Sequence, residues 1–417
     1  MPSRRQLLAV CGSCTGIGVL GGYTYGSDLW QDNDCNPSPL DSSPTDWPLP
    51  NYDGANTRTA LPESAPADGL SERWSITHRN PGHPIVANGS VFVASDVSAP
   101  DQLRSFDLFT GEQQWTRLIS PPPVTVPLMV GGDHLFLPQD REDDESISRA
   151  LTTADGSELW TSEVNSTHVT PLLDVGLLTF REDSDLVAVD ARTGEECWRS
   201  GFADRPRSSA VYGSETVVVN VGTDGSVIAL DAKTGDRRWE ADISDYFHPN
   251  EDDINDAIRG HIVAGDDRIF VHTFGGLLIA LDANTGETDW ATPETHPEMI
   301  GNAAPPELEP VAFSDGALLV IESDRGRPAI LHAIDPTTGD KQWTFEPETD
   351  EDIALGSAAV AGEMVFLPVA DELHLLDLTG GDVLETHGFD GYTESAILAN
   401  GICLVTTTEG VVALEEG

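Results

Sequence analysis

Positive charge is scarce in this chain. Only two lysines occur in 417 residues, Lys233 and Lys341. With arginine the basic total is 22, against 71 acidic residues, for a formal net charge of −49. Phosphate backbones are held by basic patches, so this composition excludes nucleic acid as a partner. Such self-repulsion works against a compact state in dilute salt. At about 1 M salt the screening length falls to roughly 3 Å and the repulsion fades. The composition therefore predicts a halophilic protein with a solvated acidic surface. A disordered acidic chain is ruled out by the 39% hydrophobic content and nine tryptophans.

Cysteine is equally sparse, with five in all. No two are adjacent, and no C-x-x-C-H is present to attach haem. Cys11 and Cys14 form a C-x-x-C, but inside an apolar N-terminal run. Cys35, Cys197 and Cys403 leave room for one disulfide whose pairing the sequence does not assign. A P-loop, H-E-x-x-H and G-x-S-x-G are all missing. Acidic residues are so frequent that no glycosidase-type carboxylate pair stands out.

Long apolar runs are lacking too, except near the start. Residues 1–26 read "MPSRRQLLAVCGSCTGIGVLGGYTYG", with Arg4 and Arg5 ahead of an uncharged run over 7–22. This is the pattern of a twin-arginine export signal. The run is short for a spanning helix, which needs roughly 20 apolar residues. Cleavage of the segment and its retention as an N-terminal anchor are both consistent with the sequence, as is lipidation. Either way the expected location is extracytoplasmic, secreted or tethered to the outer side of the cytoplasmic membrane. Residues 27–70, rich in Pro, Ser, Asp and Asn, read as an extended spacer and lead-in.

What the chain has in abundance is one phrase. "ALDAKTGDRRW" at 229–239 returns as "ALDANTGETDW" at 280–290, "AVDARTGEECW" at 188–198 and "AIDPTTGDKQW" at 333–343. Copies end at Trp115, Trp160, Trp198, Trp239, Trp290 and Trp343, and a degenerate one at Leu384. A half-phrase closes the chain at 411–417, and Trp74 stands alone at the other end. Spacings of about 40–50 residues mark propeller blades. Within a period the pattern is short alternating runs separated by Gly and Asp turns. The expected fold is all-β: an eight-bladed β-propeller over 71–417, with four-stranded antiparallel blades. The split phrase predicts that N- and C-terminal strands pair to close the ring. In each phrase the glycine supplies a positive φ, and Trp74, Trp115, Trp160, Trp198, Trp239, Trp290 and Trp343 dock neighbouring blades.

The repeat resembles the pyrroloquinoline-quinone (PQQ)-like repeat, with its A-x-D-x-x-T-G-x-x-x-W docking motif, over residues 46–417. The lead-in "DWPLPNYDGANTRTALPESAPADGLSERW" also resembles that of such propellers in salt-loving archaea. The resemblance implies one of two roles: a quinoprotein dehydrogenase, or a BamB-like scaffold with no cofactor. The adjacent cysteines typical of the dehydrogenases are missing, and no calcium-site set can be matched. The expectation is a non-catalytic binding or scaffold protein without cofactor, monomeric, with a protein or surface-ligand partner. The alternative is a quinone- or metal-dependent oxidoreductase using PQQ with calcium.

Links from each outer strand to the next inner strand share one face, and they collect histidines. The candidate binding face comprises His78, His83, His168, Arg205, Arg207, His248, Asp252, Asp253, Arg259, His261, His296, Glu298 and His387. No catalytic residue is assigned, and no spacing among these is tight enough to name a metal site. The export reading has a direct check. Replacing Arg4 and Arg5 together by lysine is expected to block translocation, read as loss of the chain from the extracytoplasmic fraction. Unimpaired export would refute the twin-arginine assignment.

Overall fold

The computed structural model describes residues 35–417, apart from Asp68, 78–80, 95–101, 119–127, 140–146, 163–168, Asp224, 247–257, 274–275, 293–306, Asp315, Arg325 and 349–352. Eight four-stranded antiparallel blades follow one another along the chain, numbered 1 to 8 by their inner strands Ile85–Ala87, Met129–Gly131, Val169–Leu172, Pro206–Tyr212, Ile258–Gly265, Glu307–Ser314, Ala359–Ala361 and Thr393–Ala399. Thr59–Ala60 adds a short parallel strand to the inner edge of blade 7. Blade 4 is typical, with strands Pro206–Tyr212, Thr216–Val221, Ser226–Asp231 and Arg237–Asp242 running from the inside outward. Its second strand is buried at every position. A strand covered on both faces reads as a near-continuous β-branched run, as "TVVVNV" does apart from Asn220.

The ring closes as the split phrase predicts. Blade 8 takes three strands from 393–416 and its outer strand from Leu70–Thr77. Those terminal strands pair antiparallel from Leu70↔Glu416 to Thr77↔Gly410. Among the described residues no helix is long and apolar enough to cross a membrane.

The phrase explains how blades join. In blade 4 the carboxylate of Asp231 accepts from the backbone N–H of Lys233 and Thr234 at 2.9 and 3.0 Å, fixing the turn. Gly235 then adopts φ +72°. The indole of Trp198, from blade 3, lies flat against that glycine, and its Nε1 donates to Ala232 O at 3.0 Å. Trp74, Trp115, Trp160, Trp239, Trp290 and Trp343 donate in the same way to the next blade's turn. All seven docking tryptophans therefore act between blades.

The eighth junction differs, and it corrects the sequence reading by one residue. In blade 7 the glycine beneath Trp343 is Gly381, so the tryptophan position falls on Glu385, not Leu384. The carboxylate of Glu385 accepts from the N–H groups of Gly69 and Leu70, both at 2.9 Å. A charge-assisted pair of hydrogen bonds stands where an indole stands elsewhere.

A second correction concerns the expected spacer at 27–70. From Cys35 onward this stretch belongs to the compact body. Cys35 is bonded to Cys197 at the rim of blade 3, which settles the open pairing, and Cys403 is free and buried. Residues 35–67 then form a strap along the mouth of the ring.

Stacking on glycine makes a sharp prediction. Gly235 and Gly213 both have positive φ, +72° and +57°, so alanine at either carries backbone strain of roughly 1–2 kcal/mol. A methyl at Gly235 would also lie 2.5 Å from the Trp198 ring, whereas nothing lies within 4 Å at Gly213. Gly235→Ala is expected to lower the urea midpoint clearly more than Gly213→Ala. Equal losses would refute the stacking role.

Candidate functional site

The strap's backbone bonds reach every blade. Trp47 exchanges two hydrogen bonds with Val86 in blade 1, and Pro48 O accepts from Val130 in blade 2. Leu40 donates to Leu173 O beside the inner strand of blade 3. Gly54, Ala55, Thr57 and Arg58 carbonyls accept from Val211, Ala264, Phe313 and Val360 in blades 4 to 7. Thr45 O accepts from Asn400 in blade 8. Most of these partners lie at the C-terminal ends of inner strands. Strand alternation puts the phrase turns at the same end and the links at the other. The strap therefore closes the channel on the phrase-turn face.

Arg58 is the strap's central residue. It has φ +49°, as Tyr52 and Asn56 also have positive φ. Such backbone persists where surrounding bonds over-determine it. Its side chain is 4% exposed. Nε donates to Ala358 O, Nη1 to Pro50 O and Asn51 Oδ1, and Nη2 to Ser357 O and Ala396 O. All five N–H donors meet neutral oxygens in the strap and blades 7 and 8. The guanidinium also lies 5.2 Å from the centre of the buried Trp47 ring. Burial of this charge pulls its pKa down to about 9.

On the link side of Arg58 lies a cavity of about 140 Å³, bordered also by Asn51, Asn56, His261 and Glu309. His261 is exposed by area yet stands on the inner strand Ile258–Gly265, ringed by other strands. That enclosure first, and the Arg58 charge second, lower its pKa. The same two causes, in that order, and then His261 itself lower the pKa of His83, in the link before blade 1.

The remaining candidates fall apart. Arg205 sits in an exposed link 3.7 Å from Asp183, and Arg207 is exposed on the inner strand of blade 4. Arg259 lies beside His261 in its strand. His387 is not in a link: it belongs to the outer strand Val383–Gly388 and packs 5.1 Å from Phe389. His78, His168, His248, Asp252, Asp253, His296 and Glu298 lie outside the described residues. Among the described residues no three His, Cys, Asp or Glu side chains gather to hold a metal ion. Sequence reasoning missed Arg58. Its one signal was a lone arginine in a polar lead-in, inside "YDGANTRTALP".

The sequence model described as outer membrane protein assembly factor BamB matches residues 143–251 and 251–413. The chain belongs to this PQQ-like propeller family. Among solved structures it is similar to BamB from Moraxella catarrhalis, at 17% identity and TM-score 0.58, covering 84% of this chain and 98% of that one. It is also similar to a quinohemoprotein alcohol dehydrogenase from Pseudomonas putida HK5, at 13% identity and TM-score 0.65, covering 92% and 83%. A computationally designed protein matches at 14% identity and TM-score 0.61, covering 83% and 99%. At these identities the likeness is one of fold. No curated protein matches the sequence.

The cavity beside Arg58, at about 140 Å³, is smaller than the roughly 300–1,000 Å³ of sites that hold ligands of tricyclic-quinone size. The buried guanidinium that could meet a carboxylate has every donor already engaged.

The channel histidine gives a pH test with a fixed sign. A lowered native pKa means the unfolded chain takes up its proton first as pH falls. Stability from His261 is thus whole above the ordinary imidazole value of about 6.5 and is lost as pH drops below it. NMR titration is expected to place His261 below that value. His261→Gln is expected to flatten part of the acid slope in stability. A normal or raised pKa would contradict the enclosure.

Proposed function

We propose that this BamB-family propeller is an exported, non-catalytic scaffold that presents a face of its ring to a protein partner. The strap carries this reading. A quinone in the channel would need space and free donors, and the strap closes one mouth and engages all of Arg58. The absence of an adjacent cysteine pair and of C-x-x-C-H supports the same side. Export is supported by "SRRQLL" at residues 3–8 and by the Cys35–Cys197 bond, since disulfides persist in oxidising compartments.

The test has two arms. Titration of the purified chain with quinone and calcium is expected to give no saturable binding and no dye-linked alcohol or sugar oxidation. Capture from native membranes in about 1 M salt, where the acidic surface is screened, is expected to recover a specific protein partner. Saturable quinone binding coupled to turnover would replace the scaffold with an oxidoreductase.

A further inference from the structure

Two turns of the ring share one sequence, Ala-Asn-Gly, and part at the next residue. In blade 1, Asn88 and Gly89 join Ala87 to Ser90; in blade 8, Asn400 and Gly401 join Ala399 to Ile402. These four turn residues have positive φ, +53°, +72°, +51° and +79°. Asn-Gly is what a two-residue hairpin turn of this kind demands. Turn chemistry does not call for the serine at position 90, which completes the N-x-S/T acceptor triplet for N-linked sugar. Such triplets arise by chance in a chain of this length, so place in the fold decides. The other triplet, Asn165 to Thr167, lies outside the described residues.

Asn400 is engaged in structure. It is half-buried, its Oδ1 accepts from Thr45 Oγ1 at 2.8 Å, and its Nδ2 donates to Asp46 Oδ1 at 3.1 Å. Asn88 is the converse. It is exposed at the tip of its turn, and its backbone N–H, not its side chain, meets the strap at Asp46 Oδ2. Its carboxamide makes one hydrogen bond among the described residues, from Nδ2 to Gly132 O at 3.0 Å in the matching turn of blade 2. An asparagine amide carries two N–H groups, so one can stay with Gly132 while the other is replaced. Ser90 is available too. Its hydroxyl donates to Gln114 Oε1 at 2.9 Å, an oxygen that Ser105 Oγ also meets at 2.8 Å. Turning Ser90 away therefore leaves Gln114 satisfied.

Taking the chain as exported, we propose that Asn88 is an N-glycosylation site whose donor is a lipid-linked sugar phosphate. The bond from Nδ2 to the sugar's C1 forms as the bond from C1 to the phosphate oxygen breaks. The lipid phosphate leaves with the electron pair, and the displaced Nδ2 proton passes to a base of the transferase. The twin-arginine route carries folded chains, so the acceptor has to be within reach in the native state, as this exposed turn is. The glycan stands on the phrase-turn face, at the rim of blades 1 and 2.

Mass spectrometry of the whole chain, expressed with its own N-terminal segment in its native host, tests this directly. Trypsin releases residues 80–104, between Arg79 and Arg104, with one acceptor triplet. From the extracytoplasmic fraction this peptide is expected to carry a sugar mass increment that fragmentation places on Asn88. Ser90→Ala keeps the Asn-Gly turn and is expected to abolish the increment with export unchanged. Ser90→Thr is expected to retain it. An exported chain whose peptide has its unmodified mass would overturn the site and leave the export reading standing. An increment that survives Ser90→Ala, or that fragmentation places on a serine, would also overturn it. A chain found only in the cytoplasm sinks the export reading and the site with it.

Discussion

The ring rests on one contact, the face of an indole against a glycine turn of the next blade. Only glycine can occupy that point, for two separate reasons. The turn needs positive φ, and the ring leaves no room for a methyl. The indole N–H then satisfies a turn carbonyl, as with Trp160 and Ala191 at 3.1 Å. A single blade has no use for such a tryptophan, since its partner lies in the neighbour. Blade stability is thus largely a nearest-neighbour quantity, as in other repeat architectures. The eighth junction lacks the turn this device needs, because the third and fourth strands of blade 8, Gly410–Glu416 and Leu70–Thr77, are not consecutive in the chain. Glu385 replaces it with a carboxylate that caps the first N–H groups of the joining strand.

Much of this was legible in the sequence, because the phrase is short and its residues act at fixed separations. Blade number, strand order, ring closure and the seven docking tryptophans all follow from its period. The register of blade 7 did not, because "TGGDVL" offers two adjacent glycines. Only the placement of Trp343 decides that Gly381 is the turn residue. The strap was illegible for a different reason. It gives each blade about one backbone hydrogen bond, through residues with no periodicity, so a Pro/Ser/Asp-rich segment looks like a spacer. Cys35 and Cys197 could not be paired for the same reason, lying 162 residues apart. Among the described candidates, His261 borders the channel cavity from the inner strand of blade 5, with His83 close enough to feel it. Histidine enrichment is a weak guide where loops are simply polar.

Arg58 raises an electrostatic question that its hydrogen bonds do not answer. Five neutral oxygens satisfy its donors, but none neutralises its charge. In most proteins a buried guanidinium is matched by a carboxylate, because breaking such a pair leaves a costly uncompensated charge. Here the surrounding chain carries a net −49. The summed field of that excess favours one cation at the centre without any single partner among the described residues. Trp47 adds its ring face at 5.2 Å. A specific carboxylate beside Arg58 would have removed the charge that shifts His83 and His261.

The strap's contacts also order the events of folding. Apart from the outer strand of blade 8, each blade pairs strands adjacent in sequence, so its loops close at little entropic cost. The strap's bonds span up to 355 residues, as between Thr45 and Asn400, and none has a binding surface until the inner strands stand in a ring. Contacts of such separation form late, because their loop entropy must be met before they contribute. The strap therefore reads the completeness of the ring: a missing or misplaced blade removes a hydrogen-bond partner from it. Arg58 sharpens this dependence, since Ala358 and Ser357 belong to the approach to blade 7 and Ala396 to blade 8. With those blades apart, a guanidinium already leaving water would lose several of its acceptors.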